Sequence, residues 1–552
     1  MRDVISMRDF TRREIDAVLD VADDVQKAIH NPSFELDFRR KYHIDLNEFG
    51  TELRLLLENI KLANLFLEKS TRTNFSFRSA VITGHGYAEG FSSPDDTSLK
   101  KGETWADTVA QFAGWGYNGI VMRSTTEGLP RWTKESLTKF HHLVEEQHKE
   151  FKLPFNYHVP IILNGGDGTN QHPTQCFLDL LTMRQIARAK GKDLDGLDIA
   201  LMNDLKYGRT IASLMSVAHH FNFKLHFAHP NRFGPQAHRL EHLAFHGVEY
   251  VDHGENFQEA MAASLIAYHS RPQKERIGKG EDLISIKKLG RITRAMYEML
   301  GDKGPYLMHP LPVDSETFEE IYHDMDLHPK NVTKFQSMNG LYIRIALLAL
   351  GLDRIVVDEY KQSTQEQYER THLRNLPLRE REDSEKKLRN PRTGFIEGNG
   401  VVLDHIPAGM ERRLEGILGF EHSHLPIVGA AYMPVEKGRE AQKDMIKIHA
   451  PYEFSPAQWE AMALIAPDIT VSYVQGGKVV RKVRPVLGDY IEERVKCGND
   501  ACVTNMPYEH APSAHHIEQR GKEKILTCHF CERTDTIAKI YEEQRFNYIG
   551  QE

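Results

Sequence analysis

Cysteine is scarce in this 552-residue chain: there are five, and four of them fall within its last tenth. That excludes a disulfide framework running through the whole molecule. The late four, Cys497, Cys502, Cys528 and Cys531, form pairs with four and two residues between their members, 25 residues apart. Such spacing suits a tetrahedral zinc site built on two turns; two disulfides are the competing reading, disfavoured where thiols stay reduced. Cys176, in "QCFLDLLTM", reads as a small buried helix residue. Charge of one sign is lacking too. Lys and Arg number 70 against 78 Asp and Glu, a net charge of −8, which excludes a broad nucleic-acid-binding surface but allows local basic pockets. No run approaches the roughly 20 apolar residues of a membrane span. The opening "MRDVISMRDFTRREIDAVLDVADDV" has no apolar core of signal-peptide type; Thr11 and Glu14 instead form a capping box before an amphipathic helix. The expectation is a cytoplasmic protein with neither a membrane nor a nucleic-acid partner.

What is present is alternation. Apolar strand candidates at "VPIILN", "LDIALMND", "FKLHFAHP", "VEYVDH" and "SLIAYHS" are interleaved with helix-length segments between 160 and 310, the pattern of a parallel α/β unit. "IKLANLFLE" and "YNGIVMRS" frame a comparable half before it, and the apolar helix "GLYIRIALLALGL" closes the unit. Two α/β domains facing a cleft follow, with ligands at strand C-termini. After Leu352 the composition shifts. Residues 359 to 392 are strongly charged and nearly core-free, as in a linker or a solvated helix. Strand-like runs resume at "GVVLDHIP", and 396 to 493 read as a small α+β domain ahead of the cysteine module.

Several junctions carry chemistry. In "LFLEKSTRTNFSFRSAV" an apolar strand ends, and Ser70, Thr71, Arg72 and Thr73 meet a helix N-terminus. Its unpaired N–H groups and dipole favour an anion, and Arg72 adds a planar fork suited to phosphate; ordinary N-capping is the alternative. "TSLKKGETWADT" looks like a mobile basic loop with Ser98, Lys100 and Lys101, which could equally be solvated lysines. "LNGGDGTNQHPTQCFLDLL" brings His172 and Gln175 to a helix start, where a structural histidine competes with a functional one. Arg209 in "NDLKYGRT" and Arg271 with Gln273 in "AYHSRPQKERI" stand at separate strand ends and suit two carboxylates, or internal ion pairs. In "MHPLPVDSE", Leu311 and Pro312 could offer backbone carbonyls to an amine, or simply form a turn.

These segments, "STRT", "SLKKGET", "GDGTNQHPTQ", "DLKYGRT", "RPQKER" and "HPLP", stand in the order typical of aspartate carbamoyltransferases, so residues 1 to 352 resemble that family's catalytic chain. "VVLDHIPAG", "QKDMIKI", "VVRKVRP" and the four-cysteine spacing resemble its regulatory chain from about 396 to 545, so the two look joined in one polypeptide. The resemblance implies two doubly wound parallel-sheet catalytic domains, an α+β nucleotide-effector domain and a small β-rich zinc domain. Their expected bounds are 1–175 for carbamoyl phosphate, completed by a helix at about 325–352, then 176–324 for aspartate, a charged linker over 353–395, 396–493 for the effector and 494–552 for zinc. Departures are Val313 where arginine commonly follows "HPLP", Asn203 in place of a usual glycine, the reading "NGGDG", and a longer 131–158 region. Ornithine carbamoyltransferase is the enzymatic rival, set apart by "RPQKER" and "HPLP", and a non-catalytic nucleotide-sensing assembly protein is the rival of another class.

By similarity, Ser70, Thr71, Arg72 and Thr73 hold the phosphate of carbamoyl phosphate. Thr73, Arg123 and His172 address its carbonyl oxygen, and Gln175 lies near the carbamoyl nitrogen. Arg209, Arg271 and Gln273 bind the carboxylates of L-aspartate, with Leu311 and Pro312 beside its amine. The aspartate amine attacks the carbamoyl carbon, and the departing phosphate can take its proton. Ser98 and Lys101 reach a neighbouring subunit's site, which implies a homo-oligomer built on catalytic trimers. Asp404, His405, Lys443, Lys447 and Lys482 match positions that contact a nucleoside triphosphate effector. The zinc is structural, held by the four thiolates, and no catalytic cofactor is implied.

Overall fold

The computed structural model describes residues 2–43, 56–273, 290–360, 368–378, 395–420, 423–434, 442–520, 523–547 and 549. The chain divides into two compact units, Met1–Thr364 with Ala501–Val503, and Gln365–Asp500 with Thr504–Glu552.

Thr11 opens the first helix, α1 (Arg12–His30), as its capping box predicts: the Glu14 N–H donates to the Thr11 hydroxyl, and the Glu14 carboxylate accepts from the Thr11 N–H. Strands β1 (Lys61–Phe66), β2 (Tyr87–Phe91), β3 (Gly119–Ser124) and β4 (Ile161–Asp167) form an all-parallel sheet in the order β2-β1-β3-β4. Between them run helices α2 (Thr71–Thr83), α3 (Trp105–Gly114) and α4 (Leu129–Phe151). The order reverses between β1 and β3, so the chain leaves those two strands in opposite directions and opens a crevice at their C-terminal ends.

After α5 (Pro173–Ala189) the second half repeats the design. Strands β5 (Asp198–Met202), β6 (Lys224–Ala228), β7 (Tyr250–Asp252), β8 (Ile266–His269) and β9 (Tyr306–Met308) pair in parallel in the order β7-β6-β5-β8-β9, which puts the switch between β5 and β8. Helix α6 (Arg209–Val217) follows β5, and α7 (Ala237–Phe245) follows β6. Strands β1, β3, β4, β5 and β8 are nearly continuously buried, as sheets covered on both faces require, while β2 lies at an exposed edge. Helix α8 (Thr333–Gly351), the expected closing helix, packs on α1, α2 and α5. It buries Ile343, Ile345, Leu347, Leu348 and Leu350, each worth roughly 1.5–3 kcal/mol of stabilisation.

The expected linker, 353–395, carries core residues at its start and a strand near its middle. Ile355 and Tyr360 belong to the core of the first unit, where the Tyr360 ring lies 5.1 Å from the Arg2 guanidinium, so the exchange of core for tether comes after Tyr360. Farther on, His372–Asn375 form β10, an edge strand held by backbone pairing and by the partly buried Leu373, features that charge content alone does not reveal. Residues 361–367 and 379–394 of that linker lie outside the described residues, as do Lys274, Glu275 and Arg276 of "RPQKER".

In the second unit β10 joins β11 (Gly400–Pro407), β12 (Ile427–Pro434), β13 (Gln442–Ile448), β14 (Thr470–Gln475) and β15 (Lys478–Val486) in an antiparallel sheet ordered β10-β15-β14-β11-β13-β12. Helices α9 (Glu411–Ile417) and α10 (Pro456–Ile465) share one core with Val401, Leu403, Ile446 and Ile448. A four-stranded antiparallel sheet, β16 (Tyr490–Glu492), β17 (Ala514–Arg520), β18 (Glu523–Cys528) and β19 (Thr534–Thr536), carries the cysteine module.

Candidate active site

Both switch points of the first unit open onto one cavity of about 570 Å³. Ser70 stands at the N-cap of α2 with an extended backbone (φ −155°, ψ 110°), yet its hydroxyl makes no capping bond. Capping and anion binding were equal readings of this junction from sequence; with the cap unmade, Ser70, Thr71, Arg72 and Thr73 all line the cavity. Arg72 pairs with no carboxylate among the described residues, and partial burial lowers its pKa.

Arg123, near the end of β3, and Arg209, the first residue of α6, converge on one carboxylate. Glu68 Oε1 accepts from Arg123 Nη2 at 3.0 Å and from Arg209 Nη2 at 2.8 Å, while Oε2 accepts from Arg209 Nη1 at 2.9 Å. Burial acts to raise the Glu68 pKa, but the two guanidinium groups outweigh it and hold the carboxyl at about 2. Gly166, at φ +115°, makes the approach possible: a Cβ there would sit 2.9 Å from Arg209 Nε.

His172 precedes α5 and is 4% exposed; its backbone N–H donates to Ser213 Oγ at 2.9 Å. Burial, then Arg123, Arg209 and Arg344, push its pKa well below 6.5, so the imidazole stays neutral. Gln175, in the first turn of α5, donates from Nε2 to Asp179 Oδ1 at 2.9 Å. Burial raises Asp179 to about 7 against the opposing pull of Gln336, Tyr268, Gln175 and Arg344. Arg271 and Gln273 follow β8 on the opposite wall, where the Gln273 N–H donates to Asp204 Oδ2 at 3.0 Å. Leu311 and Pro312, joined by a cis peptide bond, follow β9 and line the same cavity.

Twelve site residues expected from six separate segments therefore share this cavity. Ser98 and Lys101 do not: they sit exposed on a short 3-10 turn, away from its lining. Sequence reasoning missed Glu68, Gln336 and Arg344, which also line it. Arg344 is 3% exposed in α8, with its guanidinium 5.0 Å from the Phe77 ring centroid and its pKa lowered to about 10 by burial. Its signal was a lone charge inside "GLYIRIALLALGL". Among the departures, Asn203 adopts φ 79° with Nδ2 donating to the Ser270 carbonyl at 2.8 Å, a left-handed conformation that explains why glycine also suits the position. Val313 packs partly buried against the second-half core. Four arginines besides Arg72 face this cavity against one glutamate, an electrostatic arrangement for anionic ligands.

In the second unit, Asp404 Oδ1 lies 2.5 Å from Lys443 Nζ, and the His405 ring lies 3.3 Å from Thr470 Oγ1. Register pairs Lys447 with Val402, Val402 with Ser472 and Ser472 with Lys482, so Lys447 and Lys482 share a sheet face with Lys443. Lys447 is fully buried, and desolvation lowers its pKa.

The Sγ atoms of Cys497, Cys502, Cys528 and Cys531 all lie within 4.8 Å of one another, with Cys497 and Cys531 at 3.6 Å. Tetrahedral zinc with ~2.3 Å bonds sets sulfurs about 3.8 Å apart, so four buried, unbridged thiols fit the ion. The disulfide reading fails on the same geometry, since an S–S bond is about 2.05 Å.

Comparison with known proteins places this architecture among the carbamoyltransferases. The family model described as aspartate/ornithine carbamoyltransferase, carbamoyl-P binding domain, matches residues 2–185, and the Asp/Orn binding domain matches 195–350. The aspartate carbamoyltransferase regulatory chain matches at 396–486 with its allosteric domain and at 489–541 with its metal binding domain. The aspartate carbamoyltransferase catalytic subunit of Bacteroides thetaiotaomicron is 36% identical over 298 residues, 53% of this chain and 84% of that one. Protein PyrBI of Treponema denticola is 26% identical over 566 residues, covering 97% of this chain and 99% of its own length. Among solved structures, the catalytic subunit of M. jannaschii aspartate transcarbamoylase aligns at TM-score 0.50 and 31% identity, over 64% of this chain and 98% of that one. The chain belongs to the aspartate carbamoyltransferase family, with catalytic and regulatory regions in a single polypeptide. Its reaction is carbamoyl transfer to L-aspartate. No described helix is long and apolar enough to cross a membrane.

Proposed function

We propose that the 570 Å³ cavity is where carbamoyl phosphate and L-aspartate meet, each held by its own half of the first unit. The convergence of residues from six distant segments carries this reading. Ser70, Thr71, Arg72 and Thr73 bind the phosphate, using the open N-terminus of α2 and an arginine that pairs with no carboxylate among the described residues. Arg123, neutral His172 and Thr73 donate to the carbonyl oxygen as it gains charge, and each such donor is worth about 2.7–4 kcal/mol of barrier. Gln175 holds the carbamoyl nitrogen. Arg209, Arg271 and Gln273 bind the two carboxylates, and the carbonyls of Leu311 and Pro312 take the amine. The amine nitrogen then bonds to the carbamoyl carbon, the carbon–oxygen bond to phosphate breaks, and phosphate leaves with the amine proton. On this reading 1–175 and helix α8 serve carbamoyl phosphate, and 176–324 serve aspartate.

Two further elements belong to the same reading. Ser98 and Lys101, exposed and away from their own cavity, complete the site of a neighbouring copy within a trimer. The lysine face of the antiparallel sheet, with Asp404 and His405, takes a nucleoside triphosphate whose binding favours one quaternary state of the enzyme and so alters its activity in the cytoplasm. The deciding measurement offers carbamoyl phosphate with aspartate and, in parallel, with ornithine. N-carbamoyl-L-aspartate and phosphate in equal amounts are expected; product from ornithine alone would overturn the assignment.

A further inference from the structure

Asp179 lies mid-helix in α5, fully buried, one turn beyond Gln175. Three donors end on its carboxylate. Gln175 Nε2 donates to Oδ1 at 2.9 Å, Gln336 Nε2 donates to the same oxygen at 2.6 Å, and the Tyr268 hydroxyl donates to Oδ2 at 2.8 Å. The donors come from three places that shape the cavity: the helix bearing His172 and Gln175, the strand leading to Arg271, and α8. With three donors on its two oxygens Asp179 acts here as an acceptor, and both glutamine amides turn their nitrogens toward it. Gln336 shows the consequence, since its Oε1 is left facing the other way and accepts from the His309 N–H at 2.9 Å, just before Leu311 and Pro312.

We propose that Asp179 is a positioning residue that fixes the direction of the Gln175 amide, so that Gln175 presents its carbonyl oxygen, and not its NH₂, to the donor substrate in the cavity. A carbamoyl group ends in NH₂, which needs an acceptor. An acyl phosphate ending in methyl offers nothing to accept. The Asp179–Gln175 pair thus sets selectivity for carbamoyl over acetyl transfer, while Gln336 carries the same constraint to the loop beside the amine. Burial pushes the Asp179 pKa up to about 7, and the bonds from Gln336, Tyr268 and Gln175, with the charge of Arg344, oppose it and favour the accepting form. This rests on the carbamoyl-phosphate reading of the cavity.

The test compares carbamoyl phosphate with acetyl phosphate, aspartate being the acceptor, in the full chain and in Asp179→Asn. The asparagine keeps the shape but can donate to Gln175 Oε1, which lets the glutamine amide turn over. Expected are a tenfold or larger loss of kcat/KM for carbamoyl phosphate, a change under threefold for acetyl phosphate, and a preference ratio at least tenfold smaller. An unchanged ratio, or equal losses with both donors, overturns the inference. A wild-type chain that transfers nothing to aspartate would instead refute the parent reading. Should Asp179→Asn fail to fold, Tyr268→Phe removes one of the donors that hold the carboxylate. It should lower the preference about threefold with inhibition by inorganic phosphate unchanged, and an unmoved preference there counts against the inference equally.

Discussion

Glu68 and Arg209 form a two-pronged ion pair, at 2.8 and 2.9 Å, between a turn of the first half of the catalytic unit and the first helical residue of a strand-to-helix junction in the second. A third bond, from Arg123, makes Glu68 a bridge across the cavity. Removing one partner of a largely buried ion pair leaves the other charge uncompensated. Glu68→Gln is therefore expected to raise the KM for aspartate about tenfold, roughly 1.4 kcal/mol, by freeing the second half to swing away. Steady-state kinetics decide; a lower KM would mean that Glu68 competes with substrate carboxylate for Arg209.

His172 should not titrate across the working range, because burial and three guanidinium groups depress its pKa. A base with a depressed folded pKa stays neutral as pH falls through 6.5, so the profile of kcat should show no acid limb from this residue. NMR of ring-labelled histidine should leave His172 neutral at pH 6. His172→Ala should lower kcat by about 10²–10³ at saturating substrates.

If Ser98 and Lys101 serve a neighbouring copy, two inactive variants should complement each other. Chains carrying Arg72→Ala and chains carrying Lys101→Ala, dissociated together and reassembled, are expected to recover activity in trimers that contain at least one intact site. Mixed trimers with no recovery would place Lys101 outside catalysis.

Lys447 is fully buried on the sheet face it shares with Lys443 and Lys482, and desolvation depresses its pKa. Lys447→Met should weaken binding of a nucleoside triphosphate tenfold or more by calorimetry. Tight nucleotide binding by this variant would remove Lys447 from the effector site.

Chelation should strip zinc from Cys497, Cys502, Cys528 and Cys531, and Cys502→Ser should prevent its binding. One zinc per chain is expected before treatment by metal analysis. Loss of metal should unfold the cysteine module and loosen assembly before carbamoyl transfer disappears, because the catalytic cavity contains none of these ligands.

The catalytic half was legible because its chemistry sits where strands end. Each strand is an apolar run that stops at a polar junction, so Ser70, His172, Arg209 and Arg271 could be picked out as strand-end residues, whereas Arg123 came only from the family resemblance. Residues that act from inside elements left little trace. Arg344 looked like an interruption of an apolar helix, and Asp179 like one polar residue in "CFLDLL". Their roles depend on partners far apart in sequence, such as Gln336 and Tyr268 around Asp179, which no local pattern encodes. Glu68 was in plain view, two residues before Ser70, but only the convergence of two arginines gives it meaning. The charged segment after Leu352 misled for the opposite reason. Composition recognises an absence of core, yet Ile355 and Tyr360 are buried in the first unit's core and Leu373 packs against the second's.

Strand β10 has one more effect, on how copies of this chain can associate. A terminal strand with an open row of N–H and C=O groups invites a foreign strand to continue the sheet. By lying along β15, four residues of the tether occupy that margin, and among the described residues the opposite margin of the same sheet is β12. Shortening the tether so that His372–Asn375 can no longer reach β15 would exchange a four-residue border for the nine-residue one of β15, turning a change in linker length into a solubility defect.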